Sequence, residues 1–445
     1  MEKKTKKFWT LRYTIINILY FVAFCTVHAY AGVYLLDKGF TNTQVGLALA
    51  IANILSVFGQ PLVAGIVDKG GVLTNRIVVM LSSLFLLIGA VLLIFISSEK
   101  LPIFIVFVMM YTIQFIYQPI MIAMNFEYAK AGCKINFGLA RGMGSAGFAV
   151  TSFFLGKAVA GYGTSVILYV TIAAMALMVA VVYFFKKPKI SIEKKRESDS
   201  NNIIETGDTS EISNTIGNNS TTESSNTVEN SKISEDKEQN EEAANNLFIF
   251  IKRYPFFVVF LLGSACCFFA HNMINDFLIQ IIRNLGGNEA QLGYATFLQA
   301  ILELPVMALI GFVLKKINER HILVFSAVSF FVKTAILMFA ASLIGMYVSQ
   351  SFQMFAYAVF IPTAAYFAEH MMKEKDKVKG QAYINSAITL GGVFSNLASG
   401  KLLDSFGVKT MLGVGLAVCF AGVVIVIIAV YPMMKNYKKD KGISV

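Results

Sequence analysis

Twelve apolar runs, each about 20 residues or longer, succeed one another along this chain, and that succession bounds what it can fold into. A helix rising 1.5 Å per residue needs about 20 apolar residues to cross a hydrocarbon core of ~30 Å. The spacing predicts helices near 13–36, 44–66, 77–97, 102–126, 138–160 and 164–186, then near 254–282, 290–315, 321–344, 346–370, 380–403 and 408–433. Of the 445 residues, 56% are hydrophobic and 15% charged, where a soluble protein carries about a quarter charged. A water-soluble fold is excluded. The net charge of +11 does not point to nucleic acid, because Lys and Arg mark the ends of apolar runs.

The same charges orient the chain. One set of connections carries Lys3, Lys4, Lys6, Lys7, Lys69, Arg76, Lys130, Lys134, Lys315, Lys316, Arg320 and Lys373. The opposite set holds little beyond Lys38, Lys100, Arg283, Lys401 and Lys409. The basic side is expected to be cytoplasmic, with both termini inside the cell membrane. No cleavable signal peptide is expected, since the first apolar run is long and lacks a small-residue cleavage pattern. Residues 188–246 are rich in Ser, Asn, Glu and Thr and cannot bury enough apolar surface to offset their ordering entropy. They read as a disordered cytoplasmic linker, or a binding tail for a partner, between a six-helix half at 1–187 and a second at 247–445. The five cysteines show no metal-ligand spacing and read as small hydrophobes.

Two short loops carry a signature. GIVDKGGVLTNR holds Gly65, Asp68, Lys69, Gly70 and Arg76; SGKLLDSFGVK holds Gly400, Asp404, Gly407 and Lys409. Gly permits close helix approach, and an Asp at a helix end can pair with a base or with a neighbouring helix N-terminus. The two loops are taken as near-copies at corresponding ends of the two halves. The pattern resembles the Gly-x-x-x-Asp-(basic)-x-Gly loop of the major facilitator superfamily. That resemblance implies an all-α membrane protein of twelve transmembrane helices in two pseudo-symmetric halves, with a central cavity that opens alternately to each side.

NFGLARGMGSAGF, at the fifth predicted helix, is similar to the matching segment of lactose permease and the oligosaccharide–proton symporters. The resemblance implies that Arg141 binds substrate and that Phe148, where that family has tryptophan, stacks on it. Ser145 lies between them, and the spacing puts all three on one helical face. By itself Arg141 also reads as an anchor at the membrane interface. The family glutamate that pairs with this arginine falls nearest Asn125. Its substrate glutamate falls on Ala300, its ninth-helix arginine on Lys333, and its proton-handling histidine and glutamate on Gln353 and Ala356.

The eighth run, YATFLQAILELPVMALIGFVL, places Glu303 mid-span with Pro305 after it. A lone charge at bilayer centre costs about 3 kcal/mol on insertion scales, so Glu303 and Lys333 should face the protein interior or water. Glu303 reads as a switchable proton-coupling carboxylate or as half of a fixed ion pair with Lys333. Pro305 frees the carbonyl of Ile301 and permits a bend. His28 and His271 lie in the first helix of each half, where a cavity would be lined. They, with Gln299, Gln353 and Asn125, read as substrate contacts or as helix bridges. Asp276 reads as a gate or interfacial residue. The G-x-G-x-x-G at Gly142–Gly147 opens a membrane helix rather than following a strand, so it marks close packing and not a dinucleotide site. No phosphate loop, H-E-x-x-H or G-x-S-x-G is present, which argues against a pump driven by ATP and against a hydrolase.

The expectation is a secondary active transporter, not an enzyme. It moves a small polar organic solute (sugar, oligosaccharide or nucleoside), coupled to protons by symport. The alternatives are an exporter or uniporter of the same fold, or a membrane sensor. It needs no cofactor beyond a proton gradient and no metal, sits in the lipid bilayer, binds no nucleic acid and acts as a monomer.

Overall fold

The structure is a computed structural model that describes residues 2–68, 73–96, 99–187 and 249–440. The predicted linker, with Lys69 and Gly70 and the side chain of Asp68, lies outside the described residues. The first half comprises α1 (Glu2–Phe24), a π-helical turn (Cys25–Ala29), α2 (Ala31–Asp37), α3 (Asn42–Asp68), α4 (Asn75–Phe95), α5 (Lys100–Lys130), α6 (Phe137–Tyr162) and α7 (Ser165–Phe184). The second comprises α8 (Pro255–Asp276), α9 (Leu278–Asn284), α10 (Glu289–Leu314), α11 (Glu319–Met338), α12 (Leu343–Ser351), a 3-10 turn (Phe352–Met354), α13 (Tyr357–Met371) and α14 (Lys377–Asp440). Eleven helical segments among the described residues are long and apolar enough to cross a membrane. The last of them is 56 residues long and turns at Gly407, whose φ is 78°, so it supplies two crossings. The total is the twelve expected.

Sequence sets the helix starts. Thr74, Asn136, Asn318 and Ser342 each accept a backbone N–H of the first turn, and Asn288 forms a capping box with Gln291. Such caps satisfy donors that hydrocarbon would leave bare. Three spans among the described residues are discontinuous. The first breaks at Tyr30 after its π turn, the seventh at Phe277 and the tenth between Phe352 and Ala356.

The two halves repeat at a constant offset of 247 residues through their opening segments. The seven-residue α2 and α9 match end to end. The breaks at Tyr30 and Phe277, the positive-φ turns at Gly39 and Gly286, and Gln44-x-Gly46 with Gln291-x-Gly293 all coincide. A second repeat corrects the loop reading. GKAVAGYG (156–163) matches GKLLDSFG (400–407), and Gly163 and Gly407 share one conformation, φ near 80° with an extended ψ. The counterpart of the Asp404 loop is therefore the connection between α6 and α7. It is not the loop containing Asp68, which lies at the opposite end of α3 from the residues that Asp404 touches.

The halves meet chiefly through α6 with α10 and α3 with α14. The approach is backbone to backbone. A Cβ on Gly46 would stand 2.1 Å from the carbonyl oxygen of Asn396; one on Gly400, 2.4 Å from that of Asn42; one on Gly156, 2.5 Å from that of Glu289. One hydrophobic cluster, from Cys25 through Phe277 to Leu412, draws on both halves at this end. Towards the other end the apolar cores separate. One is built from Trp9 to Phe185 alone and another from Val306 to Tyr366 alone. Among the described residues, the backbone-to-backbone contacts lie at the Gly46 end, and these two clusters at the end that carries Arg76 each draw on one half alone. Gly65, expected to permit close approach, has nothing within 4 Å of a Cβ in this conformation.

Replacing Gly156 or Gly46 by Val is expected to destabilise the protein by about 1–3 kcal/mol, since a backbone must shift to admit the side chain. Gly65→Ala should stay within about 1 kcal/mol of the parent or stabilise it. Thermal unfolding in detergent reads the difference. Equal midpoints for Gly46→Val and Gly65→Ala would refute the tight seam.

Candidate functional site

Arg141 lies one turn into α6, on the face that looks across at the second half. Its guanidinium donates to Ser145 Oγ at 2.7 Å and stacks over the ring of Phe21, 4.3 Å from its centroid. A cation over an aromatic face in a desolvated setting gains about 1–2 kcal/mol. The side chain also lies within electrostatic range of Tyr13 and Tyr20 of its own half and of Tyr357 and Glu303 of the other. Thus Arg141 points between the halves and not out to lipid. Phe148, one turn beyond Ser145, packs against Phe24 at 6.2 Å. The three residues do share a face, as their spacing predicted. Asn125 Oδ1 is buried and accepts no hydrogen bond, so none comes to it from Arg141.

Glu303 answers from α10, ten residues below the Gly293 crossing, or about 15 Å along a helix. It is half-buried, with Gln353 beside it and Lys333 and Arg141 in electrostatic range. The expected ion pair with Lys333 is replaced by a relay. Lys333, 1% exposed, donates its ammonium proton to Gln353 Oε1 at 2.6 Å, which leaves the Gln353 amide N–H groups for the carboxylate. Gln353 is placed there by the break in the tenth span, in the 3-10 turn. Two serine hydroxyls tie the broken span to α11: Ser326 Oγ donates at 2.7 Å to the Ala356 carbonyl, which also accepts from Phe360 N, and Ser349 Oγ donates at 2.7 Å to the Lys333 carbonyl.

A second polar chain begins at His271 on α8. Its Nε2 meets Asn275 Nδ2 at 3.0 Å, so that nitrogen is the acceptor. Gln299 Nε2 bridges Asn275 Oδ1 at 3.1 Å and Gln350 Oε1. Tyr357, the first residue of α13, stacks on His271 with ring centroids 5.2 Å apart and planes 10° from parallel. Tyr357 also senses both Glu303 and Arg141. The first half offers rings where the second offers amides. His28 is stacked on Phe24 at 4.2 Å and boxed by Tyr111 at 3.8 Å and Phe115 at 4.4 Å, and neither ring nitrogen has a partner. His28 sits in the π turn; such turns often mark functional positions.

The structure therefore gathers Arg141, Ser145, Glu303, Lys333 and Gln353 with Tyr357, and His271 with Gln299. It places His28 in a separate aromatic box on the first half. Sequence reasoning missed Tyr357, Asn275 and Gln350. Asn275 was visible as the fourth residue after His271, and Gln350 as a second amide one turn before Gln353. The loop residues fall elsewhere. Arg76 donates to the Tyr183 carbonyl at 3.0 Å, at the C-terminus of α7, where a cation suits the helix dipole. Asp404 caps the N-terminus of α3 across the seam: its carboxylate accepts from Asn42 N (3.1 Å) and Nδ2 (2.8 Å) and from Thr43 N (2.7 Å) and Oγ1 (2.6 Å). Asp276 stands at the break of the seventh span, against Asn396. Among the described residues no cluster of His, Cys, Asp and Glu could hold a metal ion.

This geometry has relatives. A family model described as the MFS_1 like family matches residues 10–440. The crystal structure of nucleoside transporter NupG superposes with a TM-score of 0.71 at 16% identity, over 96% of this chain and 99% of that one. The crystal structure of a D-xylose-proton symporter gives 0.64 at 10% identity, over 96% and 97%. At such identities the likeness is one of fold. No curated protein matches the sequence.

Asp404→Ala is expected to remove the cap and about 1–2 kcal/mol of stability, and to speed labelling of a buried Ser152→Cys reporter by a thiol reagent. Ser152 lies in the seam, its Oγ against the Gly293 carbonyl. Unchanged labelling would mean that Asp404 does not hold that end shut.

Proposed function

The chain belongs to the MFS_1 like family, a transporter family and not an enzyme family, and from that premise we propose a secondary active transporter that takes up a small polar ring-bearing solute with protons. The observation that carries the proposal is the facing pair of Arg141 and Glu303, one from each half, where the two apolar cores have parted. With the basic connections inside, the parted end opens to the cytoplasm and the Gly46 seam shuts the outside. The solute would be a sugar, an oligosaccharide or a nucleoside. Supporting this are ring faces at Phe24, Phe115 and Phe148 on one half and amide edges at Gln299, Gln350 and Gln353 on the other. The fold relatives, a nucleoside transporter and a sugar–proton symporter, agree with that range.

Coupling follows from charge. In the empty carrier, ionised Glu303 attracts Arg141 across the gap, and closure at the inner end brings them together. When Glu303 carries a proton that attraction is lost, and closure then needs a solute to bridge the halves. A protonated but empty carrier has neither, so it stays open and does not leak protons. Arg141 suits this role because its planar fork binds a carboxylate or a pair of solute hydroxyls with the same geometry.

In reconstituted vesicles an inward proton gradient should accelerate uptake by the parent. Glu303→Gln should lose that acceleration yet keep solute exchange at equilibrium. Arg141→Lys should weaken both by about tenfold or more, the effect of a lost bidentate contact of about 1.4 kcal/mol or above. Equal gradient responses from Glu303→Gln and the parent would remove Glu303 from the coupling path.

A further inference from the structure

We propose that Asp276 and Asn396 form a binding site for a small monovalent cation, Na+ or a proton, where the seventh and eleventh spans meet. Asp276 is the last residue of α8, at the break. The carbonyl dipoles of α8 end there and favour positive charge. The Asn396 side chain lies against the Asp276 carboxylate and is 0% exposed, yet neither its Oδ1 nor its Nδ2 makes a hydrogen bond of normal geometry. Ser399, one turn along the same helix, is also fully buried, and its Oγ is unpartnered. Gln280, one turn beyond Asp276, donates to Asn42 Oδ1 at 3.0 Å and leaves its own Oε1 buried and unpaired. The seam thus holds more acceptor oxygens than donors, with a carboxylate among them.

That imbalance is what a cation corrects. Buried polar atoms without partners are rare because each forfeits its hydration. Glu303 has Lys333 and Arg141 in range; Asp276 has neither. Among the described residues no Lys, Arg or His nitrogen forms an ion pair with it, and the titratable group that faces it is Tyr111 of α5, itself against His28 at 3.8 Å. As a residue Asp276 is half-buried. Oxygen ligands of this kind suit a hard cation, and a carboxylate with no counter-charge equally retains a proton. The site is distinct from Glu303 and does not depend on Glu303 titrating.

The test is thermal unfolding of the full chain in detergent, titrated with NaCl against N-methylglucamine chloride at equal ionic strength, and separately across the range where carboxylates titrate. If the occupant is Na+, sodium raises the parent's midpoint saturably, as any ligand of the folded form must. Asp276→Asn and Asn396→Leu lose the rise, whereas Glu303→Gln keeps it. If the occupant is a proton, sodium has no effect and the parent's midpoint falls as pH rises, more steeply than that of Asp276→Asn. Sodium and pH profiles of Asp276→Asn that both coincide with the parent's overturn the proposal. All variants are first required to elute as a single species, and Asn396→Leu, which keeps the carboxylate, guards against a misfolded Asp276→Asn.

Discussion

Two crossings, α3 over α14 and α6 over α10, bring backbone against backbone, and the remaining architecture depends on them. Lipid gives helices no hydrophobic reason to associate, so contact must come from close packing and interhelical hydrogen bonds. Gly46, Gly400, Gly156 and Gly293 supply the first, and Asp404 on Asn42 and Thr43 the second. Because this close contact is concentrated at one end, the halves can part at the other without losing each other. The binding groups hang below the seam at a distance set by helix rise.

Next to the broken first and seventh spans, the same repeat positions carry different chemistry in the two halves. Phe24 and His28 occupy the repeat positions of His271 and Asn275. In the first half that pair stacks ring on ring; in the second it forms a hydrogen bond. One inherited geometry has been filled with two chemistries, a face and an edge.

Much of this was legible before any coordinates. Span number followed from run length, and the shared face of Arg141, Ser145 and Phe148 from helical spacing. The inward placement of Glu303 and Lys333 followed from the cost of charge in hydrocarbon. The breaks at Tyr30, Phe277 and Ala356 were not legible, since none has a proline or glycine at the break and each is held by tertiary partners. The direct pair of Glu303 with Lys333 was a fair inference from adjacency of spans, but sequence could not show that Gln353 would come between them. The pairing of the Asp68 and Asp404 loops failed for a different reason. Glycine and aspartate recur at helix ends generally, whereas the match of Gly156-Lys157 to Gly400-Lys401, with Gly163 to Gly407, carries register and backbone conformation together.

The amide between Lys333 and Glu303 has a physical consequence of its own. A direct buried ion pair would bind the carboxylate to one partner, and breaking it would leave two bare charges in a medium of low dielectric. With Gln353 interposed, the ammonium keeps its hydrogen bond whatever the carboxylate does. Lys333 then acts on Glu303 through its field alone, without restraining the side chain. Under the proposed coupling, Glu303 exchanges a Gln353 N–H for the Arg141 guanidinium, a proton or a solute hydroxyl. Each of these satisfies the same oxygens. On that proposal the energy differences among the states of the site stay small, as a carrier that passes through all of them in every cycle requires.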